Sequence, residues 1–387
     1  MSALRKDSPC DAEGTDSKPT IDSVEYLLKS HMAGTEWGRT SAYDFRSDVR
    51  ATPSMRMLAA IITTTLADDV FGEDPTTIAL EQNIATRCRL PASAFVISGT
   101  MANQLGLRTL LTQPPHAILT ASHSHIVENE AGGPAFLSGA MMQTVVPRNG
   151  LYLTLEDIKQ NAILSDNVHK CPTRVVALEN TISGIVVPLD EMRRISSWCR
   201  EQGVKMHLDG ARLFEVVATG AGSLGDYCSL FDTVALDFSK DLGAPMGAMI
   251  LGSETLIAQA RRIRKSIGGG MRQAGVLSAA AQIAVDEQFG DGEWGTSSGS
   301  LRIVHELAKS VGIMWERRGG KLKKPVETNQ VWMDLTNLGV TADEWNSIGR
   351  RRGLLLDGPR LVLHHQVTED ALIRLDCAFA DLIKTQV

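Results

Sequence analysis

The sequence predicts an α/β fold, with a large domain built on a mostly parallel sheet and a small α+β domain after it. Short apolar runs typical of buried strands alternate with helical segments between residues 94 and 252. After about residue 285, a stretch rich in Gly and Ser precedes a second group of helices and strands. We therefore expect an N-terminal extension, a large domain and a small C-terminal domain over residues 1–40, 41–285 and 286–387.

The predicted strands of the large domain are apolar segments of similar length. They are AFVIS at 94–98, HAILT at 116–120, RVVALEN at 174–180, VKMHLDG at 204–210, TVALDFS at 233–239 and GAMILG at 247–252. For the small domain we expect a helix at 301–316, a strand at 329–335, a helix from Thr341 and a strand at 360–365. Glu344 follows Thr341 by three residues, which is the spacing of a capping box.

The segment LDEMRRISSWCREQG is predicted to be one amphipathic helix. Met192, Ile195 and Trp198 share one face, and we expect Asp190 to cap the start and Gly203 to close the end. The first 20 or so residues are polar and contain Pro and Gly, so a flexible tail is expected there.

Composition excludes several classes of protein. A hydrophobic content of 43% with 22% charged residues is typical of a soluble globular chain, and a net charge of −6 argues against a nucleic-acid binder. No run of 18 apolar residues suggests a membrane span, and no signal or targeting segment is recognisable at either end. Six scattered cysteines without CxxC pairs favour reduced thiols and a cytoplasmic location.

Lys240 stands just beyond a predicted buried strand and is followed by Gly243, Pro245 and Gly247. Most lysines are solvated surface residues. Here, however, the small residues leave space for a bulky group, and an amine at the edge of a buried sheet suits Schiff-base chemistry.

Asp209 ends the strand that precedes the Lys240 strand along the chain. Alone, such a carboxylate is as often the N-cap of the next helix. If the two strands are neighbours, both side chains reach one cleft at the carboxyl edge of the sheet.

Two further segments are candidate phosphate sites. Ser98, Gly99 and Thr100 lie between a strand and a helix, where free backbone N–H groups bind anions, although taken alone these residues are more typical of a simple turn with Thr as N-cap. Arg272 follows the glycine run 268–270, which is either a flexible turn or a second phosphate contact.

His123 and His125 are candidate metal ligands, but no third ligand stands at a recognisable spacing, so we predict no metal site. The other functional interpretation is an imidazole stacked on a flat cofactor. Lysine, carboxylate and phosphate site together are what pyridoxal phosphate (PLP) requires, because the amine holds its aldehyde and the carboxylate holds its ring nitrogen protonated.

The chain also resembles a known family, the PLP-dependent threonine aldolases of fold type I (the aspartate-aminotransferase-like fold), which has fungal alanine-racemase-like relatives. The matching segments occur in family order over about residues 44–285: DFRSD, DDVFGEDPT, SGTMANQ, HIVENEAGG, LENT, HLDGARLF, SKDLGAP and GGGMRQAG, with RLVLHH matching more loosely beyond.

The resemblance implies a role for each candidate residue. Lys240 binds the cofactor covalently, Asp209 pairs with its ring nitrogen, and His125 stacks on the ring and serves as the catalytic base, directly or through a water molecule. Ser98, Gly99, Thr100 and Arg272 hold the phosphate, and Ser47, Arg212 and Arg360 bind the carboxylate of a small amino-acid substrate. A homo-oligomer, a tetramer of the dimer-of-dimers kind, is also implied.

Several positions depart from the family pattern. Asp241 follows the lysine where glycine is usual, Ile182 stands where bacterial relatives have histidine, and Asn129 where an aromatic residue is common. We expect an aldolase that cleaves threonine-like amino acids to glycine and an aldehyde. Two alternatives stay open: an alanine racemase on the same scaffold, and a catalytically silent relative, against which intact Lys240 and Asp209 argue.

Overall fold

The computed structural model describes residues 19–32, 41–292, 295 and 299–384. A mixed sheet of seven strands forms its centre, with strand order β1-β7-β6-β5-β4-β2-β3. The strands are β1 (Ala92–Val96), β2 (Ala117–Ala121), β3 (Met141–Val145), β4 (Thr173–Glu179), β5 (Lys205–Gly210), β6 (Thr233–Asp237) and β7 (Ala248–Gly252). Only β7 runs antiparallel to its neighbours, β1 and β6, so the prediction of a mostly parallel sheet is confirmed.

Helices cover the sheet and build the C-terminal part of the chain. They are α1 (Ile21–Met32), α2 (Met55–Thr63), α3 (Pro75–Arg87), α4 (Gly99–Leu110), α5 (His125–Glu128), α6 (Gly133–Ser138), α7 (Leu155–Asn161), α8 (Leu189–Glu201), α9 (Leu213–Ala218), α10 (Leu224–Cys228), α11 (Glu254–Ser266), α12 (Gly275–Gln288), α13 (Ser300–Arg317), α14 (Ala342–Arg351) and α15 (Glu369–Lys384). In the described part of the chain, no helix combines the length and the apolar character needed to cross a bilayer.

The six strands predicted for the large domain are present within one or two residues at each end. Every residue of β2, β6 and β7 is buried, which explains their continuous apolar runs. The sequence did not reveal β3, because this edge strand is largely exposed and therefore carries no buried apolar run.

Local capping decides where several helices begin. The capping box at Thr341 and Glu344 is confirmed. The predicted cap of α8 is wrong, because α8 begins after Pro188 and Asp190 lies inside its first turn. There the carboxylate interacts favourably with the helix dipole but does not cap the helix. Gly203 closes this helix as predicted, with a φ of +66°.

A second apolar cluster packs α13, α14 and α15 around Trp315, Trp345 and Phe379. The two-stranded antiparallel pair β8 (Gln330–Trp332) and β9 (Arg360–Val362) lies against it, and both strands are shorter than predicted. Phe45 from the N-terminal side of the chain belongs to the same cluster. The domain bounds stay a prediction, and the predicted tail at 1–20 and the Gly-rich stretch near 290–300 lie partly outside the described residues.

Candidate active site

The carboxyl ends of three parallel neighbours, β4, β5 and β6, meet at one edge of the sheet. Glu179 at the end of β4 is paired in register with Asp209 of β5. Asp209 is in turn opposite Ala235 of β6, and Lys240 follows the end of β6 by three residues. The predicted neighbourhood of Asp209 and Lys240 therefore exists, and it includes a second carboxyl group, that of Glu179.

Lys240 is held close to a carboxylate that sequence reasoning missed. Its Nζ lies 3.3 Å from Oδ2 of Asp237, and only 16% of the lysine side chain is exposed. The other oxygen of Asp237 accepts from the backbone N–H and hydroxyl of Ser239. A Cβ atom added at Gly99 would stand 2.8 Å from Asp237 Oδ2, so the start of α4 approaches this carboxylate as only glycine allows.

Asp209 is fixed in a buried hydrogen-bond network that runs to His125. Asn103 of α4 donates from Nδ2 to both Asp209 and Glu130, at 2.8 Å each. Glu130 faces His125 Nδ1 at 2.8 Å and accepts from Gln104 at 2.5 Å. The motif residue Glu130 thus orients the imidazole, and Asn103 links that imidazole to Asp209.

Electrostatics tie these groups together. The bond to Glu130 raises the pKa of His125 above its ordinary value, with support from Asp209, whereas Lys240 lowers it. Burial and the charge of Asp209 raise the pKa of Glu179 to about 7. Glu179 also accepts a 2.9 Å bond from the backbone N–H of His125. The charges of Asp209 and Lys240 therefore act on the pKa values of both His125 and Glu179.

One neighbour of this network stays neutral. Burial lowers the pKa of His207 to about 4. Its ring nitrogens bond to Thr233 and to Asn103 Oδ1 at 2.9 and 3.0 Å. Because Oδ1 of Asn103 is engaged in this way, its amide nitrogen is directed to the two carboxylates.

His125, Glu130 and Asp209 place one possible ligand atom each within 4.8 Å of one another. Asn103 already bridges both carboxylates, and Glu130 already binds the imidazole, so hydrogen bonding accounts for this arrangement. The absence of a metal site stays a prediction.

The predicted phosphate segments lie at and near the start of α4. Ser98, and not Thr100, is the N-cap of this helix, and its hydroxyl accepts from the backbone N–H of Met101. Thr100 is exposed at the helix start. Gly269 packs so closely on Met101 that an added Cβ would lie 2.7 Å from Met101 Cε. Arg272, more than half exposed, pairs with Asp68 at 2.6 Å within the chain, and its phosphate contact stays a prediction.

The predicted carboxylate-binding residues collect around a buried aspartate. Arg212 grips Asp48 with Nε at 2.7 Å and Nη2 at 2.8 Å. Ser47 caps the short 3₁₀ turn that contains Asp48. Burial and the charge of Arg212 lower the pKa of Arg360, which places the two cations near each other. Arg360 also donates to the carbonyl of Arg46 and lies 5.9 Å from the centre of the Trp332 ring.

Two more residues complete this region, and neither was a predicted site residue. Asn329, the residue before β8, donates to Asp48 at 3.0 Å and to Asp241 at 2.7 Å. Burial opposes ionisation of Asp48, yet Arg212 and Asp241 hold its pKa well below the ordinary value. Asp241 behaves in the opposite way, because burial and the charge of Asp48 raise its pKa well above the ordinary value.

Ile182 gives no polar group to the site. It is 3% exposed, packs in the main apolar core and bonds through its backbone to Ile185. The indole N–H of Trp332 donates to the carbonyl of Ser183 in the same loop at 2.9 Å. Lys324 lies over that indole ring at 4.9 Å.

Comparison with known proteins identifies the family. A family model described as beta-eliminating lyase matches residues 44–337. The chain belongs to the beta-eliminating lyase family. Membership implies PLP as cofactor, and the threonine aldolases are homologues, as the resemblance predicted.

Its relatives carry two kinds of names. The alanine racemase TOXG of Cochliobolus carbonum is 51% identical over 96% of this chain and 95% of that protein. The aldolase vrtJ of Penicillium aethiopicum is 48% identical over 92% of each chain. A low-specificity L-threonine aldolase of Eremothecium gossypii is 39% identical over 88% of each chain.

A solved structure confirms the fold. The threonine aldolase of Leishmania major superposes with a TM-score of 0.71 over 89% of this chain and 99% of that one, at 21% sequence identity. The chain therefore has the α/β fold of the type I PLP enzymes, as predicted.

Proposed function

We propose that the protein is a PLP-dependent aldolase that cleaves small β-hydroxy-α-amino acids of the threonine type to glycine and an aldehyde. One observation carries the proposal: Lys240 and Asp209 stand at the ends of adjoining strands, in electrostatic contact with His125. The threonine aldolases among the relatives support the same reaction.

The donor set fits the cofactor. Lys240 offers a largely buried amine, and Asp209 offers a carboxylate at the end of the neighbouring strand. His125 offers a partly buried ring whose pKa is raised by Asp209 and lowered by Lys240. The partly exposed start of α4 presents backbone N–H groups, which are the donors that helix starts offer to a phosphate.

In the proposed complex, Lys240 binds PLP covalently, Asp209 pairs with its ring nitrogen and His125 stacks on the ring. Its phosphate is held by the following residues: Ser98, Gly99, Thr100 and Arg272. When bound, PLP withdraws electrons from the bonds at the substrate Cα.

The substrate carboxylate is held by Ser47, Arg212 and Arg360. Arg212 donates from Nε and Nη2 to Asp48, so its remaining nitrogen, Nη1, is the one that binds the substrate carboxylate. Holding the carboxylate at one point fixes which bond at Cα is aligned for cleavage.

His125 is the base for the β-hydroxyl proton. Its Nδ1 faces Glu130, so neutral His125 keeps the hydrogen there and presents the lone pair of Nε2. As Nε2 takes the proton, the β-oxygen forms the second bond of the aldehyde carbonyl and the Cα–Cβ bond breaks. The amine of Lys240, beside Asp237, supplies the proton that Cα gains to give glycine.

Racemisation of alanine is the second candidate, because one relative, 51% identical, is named an alanine racemase. This reaction needs only removal and return of the α-proton, for which the site offers Lys240 and His125. The buried Ile182 gives no polar partner to a β-hydroxyl, which is compatible with a substrate that has none. The aldolase at 48% identity is almost equally similar, so similarity alone does not favour racemisation.

The deciding experiment incubates the purified holoenzyme separately with L-threonine, L-allo-threonine and L-alanine, followed by chiral amino-acid analysis. We expect glycine from a threonine isomer to form faster than D-alanine from L-alanine. The Lys240→Ala variant should lose both activities, whereas Lys205→Ala, which removes an exposed ion pair with Asp232, should retain them.

Faster formation of D-alanine would replace the aldolase assignment with the racemase one. If neither product forms with the loaded enzyme, both assignments are wrong.

From the resemblance we also propose a cytoplasmic homotetramer. Large exposed apolar side chains at Phe71 and Phe136, 74% and 86% exposed, offer surface that subunit contacts would bury. Light scattering coupled to gel filtration measures the mass, and a monomer would contradict this proposal.

A further inference from the structure

Asp48 and Asp241 form a buried carboxyl pair behind Arg212. Asp48 is fully buried and Asp241 is 6% exposed. Asn329 Nδ2 lies 3.0 Å from Oδ2 of Asp48 and 2.7 Å from Oδ1 of Asp241, so the two carboxyl groups flank one amide nitrogen. Two ionised carboxylates held this close in a buried region repel each other, so a proton on one of them stabilises the arrangement.

The hydrogen count around Asn329 favours the same proton. Its Nδ2 has three acceptors within bonding distance: Asp48, Asp241 and the carbonyl of Leu363 at 3.2 Å. An amide nitrogen carries only two hydrogens. One acceptor is therefore left over, and a hydroxyl on Asp241 that donates to Asp48 satisfies the group that the amide cannot.

The charge balance also favours one proton. Among the residues that the structure describes, Arg212 is the single cation bonded to the pair, and both of its contacts go to Asp48. A second buried negative charge at Asp241 would have no bonded cation, which is costly in a protein interior.

Other charged groups around the pair are already engaged or more remote. The charge of Glu215 raises the pKa of Asp241, although Glu215 itself bonds to His305, and the charge of Lys240 lowers the pKa of Asp48. Burial lowers the pKa of His365 to about 4, so this imidazole carries no charge at neutral pH. None of them donates a side-chain hydrogen bond to Asp241 in the described part of the chain.

We propose that Asp241 carries a proton and donates it to Asp48, and that this neutral Asp241 positions Arg212 for the substrate carboxylate. Asp241 is thus a positioning residue that acts through Asp48. It occupies the position after Lys240 where the family resemblance implies glycine. The second half of the proposal rests on the proposed function, whereas the proton itself does not.

The first test measures the melting temperature (Tm) of the PLP-saturated enzyme between about pH 5.5 and 8.5. A proton that the folded protein holds and the unfolded chain releases makes stability fall as pH rises above the ordinary aspartate range. We expect the Tm of the wild type to fall by roughly 1–3 °C per pH unit more than that of Asp241→Asn. Asparagine keeps the donor to Asp48 and cannot titrate.

The control is Asp157→Asn, which changes another buried aspartate, one that belongs to the capping box of α7. Its pH slope should match the wild type. Equal slopes for the wild type and Asp241→Asn would overturn the proposal, whatever activity the enzyme shows.

The second test separates positioning from packing through KM and kcat on the substrate identified above. Asp241→Ala removes the donor to Asp48 and should raise KM by about 10-fold with less effect on kcat. Asp241→Asn should restore most of that loss. If asparagine is no better than alanine, Asp241 does not position Arg212, even if it carries the proton.

Discussion

Two buried asparagines each hold a pair of carboxyl groups, and the two regions around them are built differently. Asn103 on α4 bridges Asp209 of β5 and Glu130, which follows α5 beside His125, and these elements surround one sheet. Asn329 bridges Asp48 and Asp241, and it is 281 residues from Asp48 in sequence. The first region, called here the ring side, lies within the large sheet and its helices, whereas the second, the carboxylate side, depends on the C-terminal part docking on the large sheet.

This difference suggests a division of labour. The ring side sets the protonation of the groups that do chemistry, because His125, Asp209 and Glu179 act on one another. The carboxylate side sets the orientation of Arg212 and so the alignment of the substrate. Damage to the ring side should therefore lower kcat, and damage to the carboxylate side should raise KM.

The largest effect is expected at Asp209. Asp209→Asn should lower turnover on the order of 10³-fold, because a neutral amide cannot keep a ring nitrogen protonated. The backbone bond from Ala211 has an acceptor in either side chain, so folding should survive. Kinetics at saturating PLP together with a melting curve check both points, and near-normal turnover would reduce Asp209 to a structural residue.

Arg212→Lys probes the other side. Lysine cannot reproduce the two-point grip on Asp48 while keeping a third nitrogen for substrate. We expect KM to rise about 10–100-fold with a smaller change in kcat. Arg194→Lys, at an exposed arginine paired with Glu191, is the matched control and should leave both constants unchanged. An effect of Arg212→Lys confined to kcat would contradict the assignment of substrate alignment to the carboxylate side.

The two asparagines give the most direct comparison. Asn103→Ala should lower kcat and Asn329→Ala should raise KM, each by about 10-fold, since each leaves buried acceptors unsatisfied. Both variants should melt at a lower temperature than the wild type. If both variants changed the same kinetic constant, the two regions would not have separate tasks.

Glu179 gives the smallest effect, in the pH profile. With a pKa raised to about 7, Glu179 is neutral below that pH and ionised above it. The ionised form adds negative charge near His125 and opposes loss of the imidazole proton. In Glu179→Gln we therefore expect kcat/KM to rise more steeply above pH 7 than in the wild type. Parallel profiles would show that Glu179 does not act on His125.

Stability should respond to the same group with a defined sign. Folded Glu179 keeps its proton up to about pH 7, whereas the unfolded chain releases it at its ordinary, lower value. The contribution of Glu179 to the free energy of unfolding is therefore lost as pH rises towards 7. In Glu179→Gln the free energy of unfolding should fall less over this pH range than in the wild type.

The ring side could be predicted from the sequence because its main residues follow apolar runs that mark buried strands. A buried apolar run followed by Asp209 or Lys240 predicts both the strand and the edge at which the side chain emerges. Glu130 carried a weaker signal, as a charged residue within the small-residue segment EAGG. Asp237 carried none, because its contact with the start of α4 depends on the packing of that helix on β6.

The carboxylate side was only partly predictable. Arg212 and Ser47 follow from motifs, but nothing in the residues around Asn329 indicates which carboxylates it meets. Such contacts depend on how two distant segments dock. The same reason explains β3: an exposed edge strand is defined by its partner β2 and lacks an apolar pattern of its own.

The central claim is that Lys240 is the residue that binds PLP, and borohydride reduction tests it most directly. The holoenzyme is reduced, digested and mapped by mass spectrometry. We expect the cofactor to be fixed to the peptide that contains Lys240, and we expect Lys240→Ala to retain none. Half-buried Lys324, whose pKa burial lowers, is the rival amine. Cofactor fixed to Lys324, or to any lysine other than Lys240, would contradict the claim.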